Sequence, residues 1–149
     1  MGGFVTALLH NQVLWAAVLS WLFAQLLKTL LAFARDRKLD LGHMVAPGGM
    51  PSAHSALVTG LATAVGRLSG VQSTAFALAA VFAGIVMYDA AGVRLAVSRQ
   101  ARILNRMVDD FFHARGFDEH RLRELVGHTP VQVVAGALIG IAFGILVTL

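Results

Sequence analysis

The sequence predicts an all-α integral membrane protein: a small bundle of about four membrane-embedded helices with one amphipathic helix at its surface. Three observations carry this. Hydrophobic residues make up 57% of the 149 positions and charged residues only 13%, where a soluble domain has about 25% charged. Mean hydropathy is +0.72. The charges are also segregated, falling almost entirely in two blocks at 35–40 and 89–124. This composition excludes a disordered chain, and the absence of cysteine excludes a disulfide scaffold or a thiolate metal centre. The length fits a single domain, 1–149.

The elements follow in order. Residues 1–12 read as a short amphipathic or irregular lead-in. The first apolar run, 13–33, is long enough to cross a bilayer, since a span needs about 20 residues. Runs at 55–68 and 73–88 are shorter, of a length that alone suits buried core helices, but joined by the Ser69-Gly70-Val71-Gln72 turn they read as a helical hairpin, either crossing or re-entering. Thr59, Gly60, Thr63 and Ala64 give the earlier of the two a small-residue face suited to close packing. Segment 94–126 is an insertion of different character, with Val97, Leu104, Val108 and Phe111 at helical spacing and arginines on other faces. It is predicted to lie on the membrane or on the helical core. The last run, 131–149, is again long enough to span.

Four crossings put both charged blocks on one side, with ten of the twelve basic and all eight acidic residues. The positive-inside rule makes that side cytoplasmic and places the termini opposite. The pI of about 10.7 therefore reports topology rather than nucleic-acid binding. No secretory signal is expected at the N-terminus, which lacks a basic flank and a small-residue cleavage pattern.

Candidate chemistry gathers on the same side. Gly48-Gly49-Met50-Pro51-Ser52-Ala53-His54-Ser55 reads as a glycine turn into a helix start, with Gly49 and Pro51 shaping the loop and Ser52 as cap or hydroxyl donor. The first N–H groups of such a helix offer an anion site. His54 stands in that first turn, placed to exchange a proton. Lys28 lies inside an apolar helix, where a cation is a functional candidate by default. Arg35 and Arg37 follow at its end. Asp89 and Arg94 bracket the bend at Gly92, and Arg94 suits bidentate phosphate contact. His128 precedes a second helix start at Thr129-Pro130. Two imidazoles in a cationic setting suit phosphoryl transfer through a phosphohistidine. A metal site from Asp40, His43, His54, Asp89 and His128 is the weaker reading, because no two histidines have the i, i+4 spacing of a zinc helix.

Gly-Gly-Met-Pro-Ser-Ala-His-Ser-Ala, Tyr-Asp-Ala-Ala-Gly-Val-Arg and Gly-His-Thr-Pro together resemble the divergent branch of the type 2 phosphatidic acid phosphatases, also described as acid phosphatase and vanadium-dependent haloperoxidase-related. The resemblance runs from Gln25 to the C-terminus. It implies that His128 attacks phosphorus and that His54 protonates the leaving oxygen and later activates water. It implies that Lys28, Arg35 or Arg37, Ser52 and Arg94 hold the phosphoryl oxygens, with no metal or other cofactor. Asp36 replaces the parent motif's proline, Ala53 its glycine, Leu122 its arginine and Gln132 its carboxylate. Arg94 would take over for the missing arginine, with Asp89 in a supporting role. The implied substrate is a lipid phosphate or pyrophosphate. The alternative is a non-catalytic protein that binds phospholipid or docks a partner, with Gln132 marking a degenerate site. The expected surroundings are the membrane and, as a candidate partner, a second copy of the chain.

Overall fold

The computed structural model describes residues 2–36, 49–112 and 128–149; the side chains of 35–36, 93–95, 98–99 and 108–112 lie outside what is described. The described residues form helices α1 (Gly2–Leu9), α2 (Gln12–Asp36), α3 (Ala53–Ser69), α4 (Thr74–Ala91), α5 (Val93–Phe112) and α6 (Pro130–Val147), with no strand among them. A helical membrane bundle is what the composition calls for, because a helix satisfies its own backbone groups in hydrocarbon.

The lead-in is a helix, α1, with all its residues exposed. It ends at Leu9, and Asn11 opens α2 by accepting the Leu14 N–H on its side chain at 3.0 Å. Helices α2, α4 and α6 are each long and apolar enough to cross a membrane, over Gln12–Ala34, Thr74–Ala91 and Pro130–Val147. Helix α4, three residues longer at its C-terminal end than the apolar run 73–88, thus has the length the crossing alternative needs. Leu78, Val81, Phe82 and Ile85 point outward, and a face of large aliphatic and aromatic groups is what lipid tails solvate best.

The buried core helix is α3, which packs against α2, α4 and α6. Its 17 residues extend about 25 Å, short of a hydrocarbon layer of about 30 Å. Ser52 caps its start by accepting the Ser55 N–H.

Helices α3 and α6 run parallel in a shared register. A Cβ placed on Gly136 would strike the Ser52 carbonyl oxygen, one on Gly140 would strike Thr59 Oγ1 and the Ala56 carbonyl oxygen, and one on Gly144 would lie 2.6 Å from Thr63 Cβ. Each four-residue step along α6 thus matches a step along α3. Three glycines four apart remove the side chains that would separate the backbones, the small-residue logic of membrane helix pairs. The close approach lets Thr59 Oγ1 donate to the Ala137 carbonyl at 3.1 Å, while it also bonds Ser55 O at 2.7 Å. On the other flank, Gly60 meets Ser20 and Ala16 of α2. Ala16, Ser20, Ala24 and Lys28 form the buried stripe of α2, four residues apart and so on one face.

The ends of the bundle are set by these pairings. Arg67 Nε donates to Thr148 Oγ1 at 2.8 Å at one end. The starts of α3 and α6 and the exit of α4 share the other.

Candidate functional site at the shared start of two helices

The site end is built from backbone outward. The Ser52 N–H donates to the Gln132 carbonyl at 3.0 Å, tying the cap of α3 to the first turn of α6. The His128 N–H donates to the Ala90 carbonyl at 3.1 Å, tying the approach to α6 to the last turn of α4. Three segments distant in sequence are thus fixed by main-chain bonds.

Lys28 ends the buried stripe of α2 and is only 8% exposed. Its methylenes lie where a side chain on Gly49 would be, with Cδ 3.0 Å and Cγ 3.1 Å from the Cβ position. Gly49 has φ +86°, a conformation that favours glycine. The lysine stem therefore runs against the loop that the sequence singled out, on a residue whose lack of a side chain makes room for it. Pro51 is buried beside it. Ser52, fully buried, takes two bonds on its hydroxyl oxygen, from Ser55 N at 3.3 Å and Ser55 Oγ at 3.1 Å. It is a cap for the first turn of α3.

His54 is exposed in the first turn of α3, whereas His128 is 4% exposed just before α6. Their ring centroids lie 6.1 Å apart with the planes inclined by 59°. The structure thus brings together two imidazoles separated by 73 intervening positions. The parallel seam makes this possible, because parallel helices present both N-termini at one end.

Gln132 stands behind His128, where the resemblance expects a carboxylate. His128 Nδ1 lies 3.3 Å from Gln132 Oε1, and the same oxygen accepts the Thr129 N–H at 3.0 Å. Thr129 Oγ1 in return accepts the Gln132 N–H, completing a capping box. An amide oxygen only accepts. A bond from the ring to that oxygen puts the imidazole proton on Nδ1 and leaves the lone pair on Nε2. The amide thus does the orienting work of a carboxylate without its charge. The sequence reading missed the second task of Gln132, although Thr129-Pro130-Val131-Gln132 is a threonine followed three residues later by glutamine, a capping-box signature. It also missed the Gly136, Gly140, Gly144 spacing that aligns the two helix starts.

The remaining predicted residues are less fully placed. Asp89 is half-buried in the last turn of α4, one residue before the carbonyl that holds His128. Arg94 is the second residue of α5 and Arg35 lies in the last turn of α2; the side chains of both are outside the described set. Arg37, Asp40 and His43 lie outside the described residues altogether, as does 113–127 of the predicted insertion.

The fold and this arrangement define an integral membrane protein of helical type whose candidate site is made by two converging helix starts, each bearing a histidine. Comparison with known proteins narrows the class. Residues 9–143 match the Divergent PAP2 family, and the chain belongs to it. It is 41% identical over 145 residues to the uncharacterized membrane protein YuiD of Bacillus subtilis (strain 168), covering 90% of this chain and 92% of that one. No solved structure matches significantly.

Proposed function

We propose that this protein is a membrane phosphatase that hydrolyses a lipid phosphate or pyrophosphate at the cytoplasmic face, through a phosphohistidine and without a metal. The observation that carries the reading is the His54–His128 pair, 6.1 Å between ring centroids, close enough that one phosphoryl group is within reach of both. In the first step His128 Nε2 forms a bond to phosphorus as the bond to the leaving oxygen breaks, and His54 gives that oxygen a proton. In the second, His54 takes a proton from water, the water oxygen bonds to phosphorus, and the P–N bond breaks to release phosphate. Lys28, Ser52, Arg94, and Arg35 or Arg37 hold the non-bridging oxygens, where fixed positive charge meets the charge that develops. The basic excess of both charged blocks supports the cytoplasmic assignment.

A second reading has its own observation. Gln132 is neutral, so it orients His128 but cannot offset the charge of an imidazolium. In a serine protease, replacing the triad aspartate by its amide lowers kcat by about 10⁴. On this reading the chain binds phosphorylated lipid without turnover. One experiment separates them: phosphate release from vesicles containing a diacylglycerol phosphate or a polyprenyl pyrophosphate. The phosphatase reading expects release that vanadate inhibits, that His128→Ala abolishes and that Gln132→Glu raises, since glutamate keeps the capping box and adds the charge. Wild-type release no greater than that of His128→Ala rejects it in favour of binding.

A further inference from the structure

We infer that α5 is an interfacial helix that lies in the site-side leaflet and docks the bundle onto anionic phospholipid headgroups. The inference stands on the helix itself and holds whether or not His128 carries out phosphoryl transfer.

Position comes first. The membrane-crossing helix α4 ends at Ala91 and α5 begins at Val93, with Gly92 alone between them. Helix α5 therefore starts at the depth where α4 leaves the hydrocarbon, at the end where α4 also holds His128. It packs along α4.

Three stripes then divide its surface, each set by a four-residue spacing. Ala101 and Asn105 are buried and form the bundle side. Arg102 and Arg106 are exposed and come next around the helix. Beyond them are Ile103 and Met107, 58% and 53% exposed. With 100° per residue, the Ile103/Met107 stripe lies roughly 200° from the bundle side, and the arginine stripe between them. Leu104, also exposed, extends the apolar surface the other way. A helix with one flank on protein, one apolar and one cationic fits a single environment: the boundary between acyl chains and headgroups. Water would leave the apolar stripe unsolvated, and full burial in hydrocarbon would strand the arginines. The two guanidinium groups select negatively charged headgroups.

The chain contains no cysteine, so a single introduced one is a unique reporter. Full-length Met107→Cys and Arg106→Cys proteins are spin-labelled and reconstituted in phosphatidylcholine bilayers containing phosphatidylglycerol. The label at 107 is expected to be relaxed by oxygen and shielded from an aqueous nickel chelate, and the label at 106 to show the reverse. Binding of phosphatidylglycerol to the reconstituted protein is expected to fall about fivefold for each arginine removed in Arg102→Gln and Arg106→Gln, and to be retained by the lysine pair Arg102→Lys/Arg106→Lys. Equal nickel access at both positions, a 107–107 cross-link between copies, or unchanged phosphatidylglycerol binding in the double glutamine variant would each overturn the inference.

Discussion

Helices α3 and α4 are consecutive and nearly equal in length, 17 and 18 residues, yet they solve opposite problems. Helix α4 meets lipid, and its outward residues are Leu78, Val81, Phe82 and Ile85. Helix α3 meets other helices on three sides, and its buried residues are Ala, Ser, Thr, Gly and one Val. The helix at the centre of this membrane protein is therefore not among its most hydrophobic. Lipid tails are as apolar as leucine, so a leucine gains little by leaving them. What favours helix against helix is backbone proximity and polar groups bonded across the gap. The candidate site belongs to the second kind of surface. Its histidines are carried by the ends of two helices whose spacing is set by atoms rather than by a flexible loop.

Three measurements bear on this contrast. The largest effect is expected at the start of α3: His54→Ala should lower phosphate release by about 10²–10⁴, the usual worth of a positioned proton donor. A lipid-facing exchange on α4, Phe82→Leu, should leave release unchanged. Equal losses in the two would end the distinction. Next comes the seam. Gly140→Ala forces a methyl into Thr59 and the Ala56 carbonyl and should cost about 1–3 kcal/mol, read from unfolding in mixed micelles. Gly84→Ala on α4, where nothing lies within 4 Å of the added atom, should cost less than about 0.5 kcal/mol. The smaller effect at the seam is Thr59→Val, which keeps the shape but removes the bonds to Ser55 and Ala137. It should cost about 0.6 kcal/mol, the mean for interhelical hydrogen bonds in a membrane protein.

Much of the fold was legible in the sequence because a bilayer demands long apolar runs. The expected 13–33, 55–68, 73–88 and 131–149 became Gln12–Asp36, Ala53–Ser69, Thr74–Ala91 and Pro130–Val147. The largest shifts are at the C-terminal ends of α2 and α4, which carry on to Asp36 and Ala91, since nothing forbids a helix from continuing past the apolar region. Which of the two short helices faces lipid was not settled by length. It was decided by the side chains of α4, large and apolar on the outer face, against the small ones of α3. The two histidine-bearing helix starts were visible locally in Pro51-Ser52 and Thr129-Pro130. Their meeting was implied only by the family resemblance, because the geometry depends on α3 and α6 being parallel neighbours, a tertiary fact. The cue was present in Gly136, Gly140 and Gly144, which meet Ser52 and Ser55, then Ala56 and Thr59, then Gly60 and Thr63. At Gln132 the motif comparison shows a lost charge and a carbonyl still able to orient His128, but not that the same side chain closes the turn ahead of α6 in a capping box.

The parallel seam has a consequence for how the protein is made. Thr59 and Ala137, joined across it, are 78 residues apart, a length that a ribosome takes roughly 4–15 s to add at ordinary elongation rates. Through that interval α3, short for the bilayer and lined with hydroxyls, has α2 beside it and then α4, but not the helix that fits it most closely. The site is assembled by a late arrival. A nascent chain halted before residue 130 already holds Lys28 and His54, but it has neither the glycines that would fix them opposite His128 nor any means of closing the bundle over the hydroxyls of α3.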